Sequence, residues 1–570
     1  MKLQMPPIKQ LYVWLFVLIL AIIFVVGASS YNLANQKSDY VHFSSPDETA
    51  NYFFTKLYAK TGELSVFENY NLSASDIVHP RSFRSDRGWL KPVSFLGIIL
   101  IFGTIAKVVG LGIIPFLMPI FGAIGIIFFY LLVEKLFSSR RIALLSAALL
   151  TFFPVYIYYS ARSMFHNVLF IVLAIMAFYF LSSLLENRAG EIKTDPRFFT
   201  GHFNRRDFIL AALSGLFFGL AVITRVSELL WLAPALVLIF IFYFKRFNIF
   251  RLIVLITFFL LALLPMAYWN QALYGSFTSG GYVEMNQSLT SIATIGNQGF
   301  SLGEAVKKVG NTIFYFGFRP RQSLTMFYNY VVLMFPWLAG LATLGLIWLL
   351  VSYKQFRKKY LVYLLVWGLV SVILVLYYGS WKFTDNPDPR RFTIGNSYTR
   401  YWLPVYLGAI PLAAYFIDRL SRLLSGKKAL IRSALSLLVV YAIFLYSAIF
   451  VMFGSEEGLV NVTYSNRVDY DLYAQVIELT PPPAVIITKY HDKVLFPERR
   501  VLIGLFSDDQ MNKIYFKLAQ VAPLYYLNFQ LKPEDFNYLK TRKLANFGLD
   551  IELVKVINKD FALYKLSSKK

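Results

Sequence analysis

The chain has 570 residues, of which 57% are hydrophobic, 18% aromatic and only 15% charged, a composition that excludes an ordinary soluble globular protein. A net charge of +24 would suggest nucleic acid in a soluble protein. Here the Lys and Arg residues fall in short loops between apolar runs, where membrane topology and anionic headgroups account for them, and no nucleic-acid partner is expected. Cysteine is absent, which excludes disulfides, thiolate chemistry and Cys-ligated metal.

In chain order, the first apolar run covers residues 11–27 and follows Lys2 and Lys9. It has the look of a signal peptide without a small-x-small cleavage site, so it is read as an uncleaved first span with its N-terminus in the cytoplasm. Residues 28–92 then form a polar, aromatic external loop. The apolar block at 93–137 poses a question of parity. Two spans there would invert every later basic loop. One span at about 112–137, preceded by a re-entrant or interfacial helix at 93–109, keeps Arg140 and Arg141 and the basic loops after them inside. Further spans are predicted at 142–159, 165–185, 208–225, 228–244, 250–269, 328–352, 360–378, 401–417 and 432–452, about eleven in all. The loops at 270–327 and 379–400 and the C-terminal region are then external.

From residue 453 the pattern changes. Helical periodicity at 468–479, 508–521 and 533–546 alternates with strand-like runs at 484–488, 501–504, 524–527, 551–557 and 561–566. The expected architecture is a polytopic α-helical membrane protein, residues 1–452, with a small external α/β domain at 453–570.

Pro46-Asp47-Glu48 opens a helical-looking run in the first external loop. Carboxylates beside lipid are costly and usually functional, which makes Asp47 and Glu48 candidates for acid–base chemistry. The same residues also suit a helix N-terminus, and spacing does not separate the two readings. Arg81, Arg84, Arg87 and Lys91 close that loop, Arg162 and Arg225 sit near outer span ends, and Lys382, Arg390, Arg391 and Arg400 lie in the loop at 379–400. Cations kept outside against the positive-inside bias suit a phosphate, or lipid headgroups. Arg400 precedes Tyr401-Trp402-Leu403-Pro404, in which Tyr401 and Trp402 equally suit an interfacial aromatic belt. His166 and Asn167 mark the second external loop, and His166 has no metal-ligand spacing around it. Asn71, Asn286 and Asn461 begin sequons.

Taken in order, these stretches resemble the GT-C superfamily of polyprenyl-phosphate-sugar-dependent glycosyltransferases, in the branch of protein O-mannosyltransferases and lipid A aminoarabinose transferases. Pro46-Asp47-Glu48-Thr49 with Tyr52 and Ala59-Lys60-Thr61-Gly62-Glu63-Leu64 is similar to the family's first-loop motif. Trp89-Leu90-Lys91-Pro92 is similar to its Lys-Pro-Pro segment, with Val93 in place of the second proline. Asn270, Tyr274-Gly275-Ser276 and Gly280-Gly281-Tyr282 resemble its Asn…Phe-Gly-x-Pro…Gly-Tyr stretch, and Arg400-Tyr401-Trp402-Leu403-Pro404 its Arg-Tyr-x-x-Pro. The resemblance implies an inverting transfer of sugar from a polyprenyl phosphate to an acceptor protein, lipid or glycan outside the plasma membrane. Asp47 would be the base, Glu48 would orient it or bind the acceptor, and Arg400, Tyr401, Lys91, Arg162 and Arg391 would receive the phosphate. Many members carry an acidic residue in the second loop, where this chain has His166-Asn167. A divalent metal is therefore left open as a cofactor. The competing classes are a transporter or lipid flippase, against which stand the few mid-span charges and the missing repeat, and a non-catalytic membrane scaffold.

Overall fold

The computed structural model describes residues 7–37, 40–186, 204–282, 315–352, 358–383, 392–426, 428–454 and 456–569. In chain order the helices are α1 (Pro7–Asn35), α2 (Pro46–Thr61), α3 (Gly97–Val109), α4 (Ile114–Phe137), α5 (Arg140–Thr151), α6 (Pro154–Ala161), α7 (His166–Leu184), α8 (Arg205–Thr224), α9 (Leu229–Tyr243) and α10 (Ile249–Tyr274). After them come α11 (Pro320–Phe327), α12 (Pro336–Val351), α13 (Lys358–Gly379), α14 (Ser397–Tyr401), α15 (Leu403–Ser425), α16 (Ala429–Phe453), α17 (Leu459–Leu479), α18 (Asp492–Leu495), α19 (Asp509–Val521) and α20 (Pro533–Tyr538). The strands are β1 (Val66–Phe67), β2 (Phe83–Asp86), β3 (Trp89–Pro92), β4 (Val485–Thr488), β5 (Arg500–Ile503), β6 (Leu524–Phe529), β7 (Leu549–Val556) and β8 (Phe561–Ser568).

Among the described residues, nine helices are long and apolar enough to cross a membrane, and there are eleven spans if two bent pairs count as one each. The protein is a multi-span membrane protein; its apolar runs predict about eleven spans, the upper of these two counts. Both bends fall where proline restarts the helix. Pro154 and Pro336 each occupy the first turn after the break, and the preceding Phe153 (φ −73°, ψ 122°) and Phe335 (φ −129°, ψ 62°) are held out of the helical region. The bends are 51° between α5 and α6 and 97° between the helical stretch from Pro320 to Leu333 and α12. Helix α3 has 13 residues, about 20 Å at 1.5 Å per residue, too short for a hydrocarbon core of roughly 30 Å. It stops at Gly110, whose φ of 113° is open to glycine and strained for other residues.

The chain forms two compact units. The first comprises Met1–Asn32, Pro115–Pro265 and Ile295–Asn461, and the second Leu33–Ile114, Met266–Thr294 and Val462–Lys570. In the first, α7 and α15 are central, 72% of each being buried, whereas α10 is 6% buried and turns its apolar surface toward lipid. Helices α8 and α10 approach closely along Gly215 and Gly219. A Cβ on Gly215 would lie 2.0 Å from the Leu255 carbonyl oxygen, and one on Gly219 2.5 Å from the Ala262 Cβ. Small residues four apart are how membrane helices bring backbones together without a hydrophobic driving force.

In the second unit, β1, β3 and β2 form a small antiparallel sheet. A five-stranded sheet runs in the order β5-β4-β6-β8-β7, parallel for β5-β4-β6 and antiparallel for β6-β8-β7. Parallel neighbours need crossovers, supplied by α18 between β4 and β5 and α19 between β5 and β6. Inward-facing Val485, Ile487, Leu502, Leu524, Tyr526 and Leu549 form its core, and Ala74 and Val78 of the first loop pack into the same core.

Candidate functional site

Asp47 and Glu48 take the second and third positions of α2, after Ser45 and Pro46. Their neighbouring roles differ. Glu48 is buried, and its Oε2 accepts the Ser45 backbone N–H at 3.2 Å, closing a capping box at the start of the helix. Asp47 is half-buried, and its Oδ1 accepts the Ser82 hydroxyl at 2.6 Å. Among the described residues no cation pairs with Asp47. The helix-cap reading therefore fits Glu48, and the second position is held for Asp47 by a residue 35 places on.

Ser82 has a left-handed backbone (φ 62°), uncommon for a side chain other than Gly, Asn or Asp. The residue before it explains how that conformation is kept. The Arg81 backbone N–H donates to Asp492 Oδ2 at 2.9 Å, and its guanidinium reaches Asp492 Oδ1 at 2.6 Å. The Asp492 side chain is fully buried. Farther along the same loop, Asp76 accepts from the Ser85 hydroxyl and from the Arg87 and Gly88 N–H groups, at 2.6, 2.9 and 2.7 Å. Asn71 is buried, donating to the Val78 carbonyl and the Ser85 hydroxyl at 3.2 and 3.0 Å. That sequon is part of the loop's framework and leaves no room for a glycan.

Lys91 lies on β3, where its Nζ bonds Asp86 Oδ2 and the Leu273 carbonyl, both at 2.8 Å. The hydrogen bond from Lys91 holds the Asp86 carboxyl below its usual range. The Tyr274 hydroxyl donates to the Pro92 carbonyl. Gly281 rests on the same strand end, where a Cβ would come within 2.5 Å of the Val93 carbonyl oxygen, so the close approach requires glycine. Two sequence motifs that lie about 180 residues apart are thus brought into contact.

The first unit gathers a separate cationic cluster. Arg162 caps α6, donates to the Tyr158 hydroxyl at 2.8 Å and lies 5.0 Å from the Phe165 ring centre. Arg400 lies 4.6 Å from the same ring and 5.2 Å from that of Tyr401, and donates to the Ser397 hydroxyl at 2.8 Å. Two guanidinium groups thus share one phenyl ring. Asn167 donates to the Arg400 carbonyl at 3.3 Å, and His166 is buried at the start of α7. Among the described residues no group of three His, Asp or Glu side chains gathers at His166 or elsewhere. Trp402 is fully buried and its indole donates to the Leu374 carbonyl at 3.0 Å, so it belongs to the core and not to an aromatic belt. Arg391 and Arg390 lie outside the described residues, as does much of the long loop at 270–327.

Sequence reading named Arg225 among the outer cations but missed its partners and Tyr159. Arg225 is paired at 3.0 Å with Glu228, which also accepts the Trp231 indole at 2.5 Å and the Tyr378 hydroxyl at 2.9 Å. Arg225 lies over the Tyr401 ring at 4.7 Å, and Tyr378 stacks on Tyr401 at 4.3 Å. The Arg-x-x-Glu spacing is a signal that could have exposed this pair. Tyr159 carried none. Its hydroxyl lies 3.0 Å from Thr399 Oγ1 and 3.3, 3.1 and 3.2 Å from the carbonyls of Ile394, Gly395 and Asn396, pinning the turn that presents Arg400.

With its spans, its short non-spanning helix and its C-terminal sheet, the protein has the fold of the GT-C glycosyltransferases. Residues 91–194 match the family model described as dolichyl-phosphate-mannose-protein mannosyltransferase. The chain is similar in structure to ArnT from Cupriavidus metallidurans bound to undecaprenyl phosphate, at 12% identity and a TM-score of 0.53 over 97% of this chain and 98% of that one. The apo state of the same ArnT aligns at 12% identity and a TM-score of 0.52 over 98% of each chain. The apo Archaeoglobus fulgidus oligosaccharyltransferase aligns at 13% identity and a TM-score of 0.52, over 93% of this chain and 71% of that one. No curated protein sequence matches the chain. The resemblance carried by the ordered motifs therefore holds at the level of fold.

Proposed function

We propose that the protein is an integral-membrane glycosyltransferase that moves a sugar from a polyprenyl phosphate to an acceptor hydroxyl, with inversion, on the external face of the cell membrane. Asp47 takes the acceptor's proton as its oxygen attacks the anomeric carbon. The bond from that carbon to the phosphate oxygen breaks, and the electron pair leaves with the carrier phosphate. Arg400 and Arg162 stabilise the charge that develops on the departing phosphate, with Tyr401 beneath the Arg400 guanidinium and Asn167 bracing its backbone. Lys91, already bonded to Asp86 and to the Leu273 carbonyl near the end of α10, adds positive charge near the first loop. His166 supports the second loop, and Arg391 is a further candidate for the phosphate. Glu48 holds the helix that carries the base. The single observation that carries this reading is the Asp47 carboxylate, fixed through one oxygen by Ser82 and open at the other. The orientation, with the N-terminus inside and the C-terminal domain outside, follows from the placement of the basic loops.

Purified protein and its Asp47→Asn variant should be compared on a panel of polyprenyl-phosphate sugars. The parent is expected to release sugar from one donor, and the variant to lose roughly 10²–10⁴-fold in turnover with its fold intact. Equal turnover in both removes Asp47 from the mechanism. Failure of every donor, with lipid movement across a vesicle bilayer, makes the protein a transporter.

A further inference from the structure

The first unit contains an elongated cavity of about 490 Å³ between α4, α7, α9, α13 and α15, within the size range of small-molecule sites. Its walls are apolar. Along α7 it runs from Ile171 to Glu186, and along α9 from Trp231 to Arg246, about 20 Å in each case at 1.5 Å per residue. A single leaflet is about half of the roughly 30 Å hydrocarbon core, so the cavity is deep enough for one whole acyl chain.

One end of the cavity is ionic. Lys135, Arg246, Lys358 and Lys359 line it with a single carboxylate, Glu186. Lys135 pairs with Glu186 at 2.7 Å. Lys359 donates to the Lys135 carbonyl at 2.9 Å, Arg246 to the Leu185 carbonyl at 2.7 Å and Lys358 to the Phe242 carbonyl at 2.5 Å. Those carbonyls belong to the ends of α4, α7 and α9, so helix capping is the plain role of these cations. It does not exhaust them, because a guanidinium has five donors and an ammonium three, more than these bonds use at Arg246 and Lys358. The mouth lies where α4, α7 and α9 end and α13 begins, whereas Arg162, Arg225 and Arg400 lie where α6 and α8 end and α15 begins. The two cationic regions are therefore at opposite ends of the bundle.

We infer that this cavity binds an anionic phospholipid of the surrounding bilayer, one acyl chain between the helices and its phosphate among Arg246, Lys358 and Lys135, on the membrane face opposite the proposed sugar-phosphate site. The excess of positive charge at the mouth selects an anionic headgroup, and the depth and apolar walls select a chain.

The test is native mass spectrometry of the full-length protein in detergent, with equimolar phosphatidylglycerol and phosphatidylethanolamine of identical chains. The parent retains phosphatidylglycerol in preference. In R246Q/K358Q the preference falls about fivefold for each cation removed. Ala174→Phe, which fills the wall of the cavity away from the mouth, loses the retained lipid while the mouth stays charged. Equal retention of the two lipids by the parent, or a preference that survives both variants, overturns the inference. So does displacement of phosphatidylglycerol by polyprenyl phosphate in one-for-one exchange, which would assign the cavity to the carrier.

Discussion

A carboxylate serves best as a base when its position is fixed, and the Ser82 hydroxyl fixes one oxygen of Asp47, the base proposed above. A hydrogen bond to a charged acceptor contributes about 1.5–3 kcal/mol. Replacing Ser82 by glycine keeps the left-handed backbone free of strain and removes the hydroxymethyl side chain that holds Asp47. Ser82→Gly is expected to lower kcat about tenfold or more while leaving the donor KM near that of the parent; an unchanged kcat would show that Asp47 needs no such partner. Glu48 should respond differently. Glu48→Ala is expected to cost about 1 kcal/mol of stability through loss of the capping box, read as a lower unfolding midpoint, with turnover per folded molecule retained.

The loop that carries Ser82 is held from the sheet side by Asp492. Arg81→Ala leaves that carboxylate buried without its ion pair, and the expected loss is about 3 kcal/mol. Asp492→Ala should cost less, because the Arg81 side chain is 41% exposed and returns to water. Thermal unfolding of the two variants gives the order. Both should also lower turnover, since each loosens the backbone that sets Ser82. Among the membrane helices, Gly219→Leu puts a side chain into the Phe259 carbonyl and the Ala262 methyl. A lowered unfolding midpoint, from separation of α8 and α10, is the expected result.

His491, in the turn after β4, is one source of the molecule's pH response. Burial lowers the His491 imidazole from its ordinary 6.5 to about 4. Between those values the unfolded chain binds a proton that the folded chain does not. Stability is therefore fully present above about pH 6.5 and is lost as the pH falls toward 4, by about 3 kcal/mol at most. Burial lowers His79 as well, with the same sign. Unfolding midpoints measured from pH 7 to 4 should fall in the parent and fall less steeply in His491→Gln.

Much of this architecture was legible in the chain. Apolar run length, alternating basic loops and strand-like runs after residue 453 carry local information, because a span or a strand is decided by residues within a turn or two. The motif around Asp47 was visible for the same reason, as was the short helix before α4. The partners that give those residues their chemistry were not. Arg81 and Asp492 are 411 residues apart, Tyr159 and the Ile394 carbonyl 235, and Arg225 and Tyr378 153. No periodicity links such pairs, and Ser82 looks like any loop serine until Arg81 is fixed. Element type depended on neighbours in the chain. The different hydrogen-bond partners of Asp47 and Glu48, the burial of Trp402 and the sharing of the Phe165 ring by two arginines depended on packing, which exists only once distant segments have met.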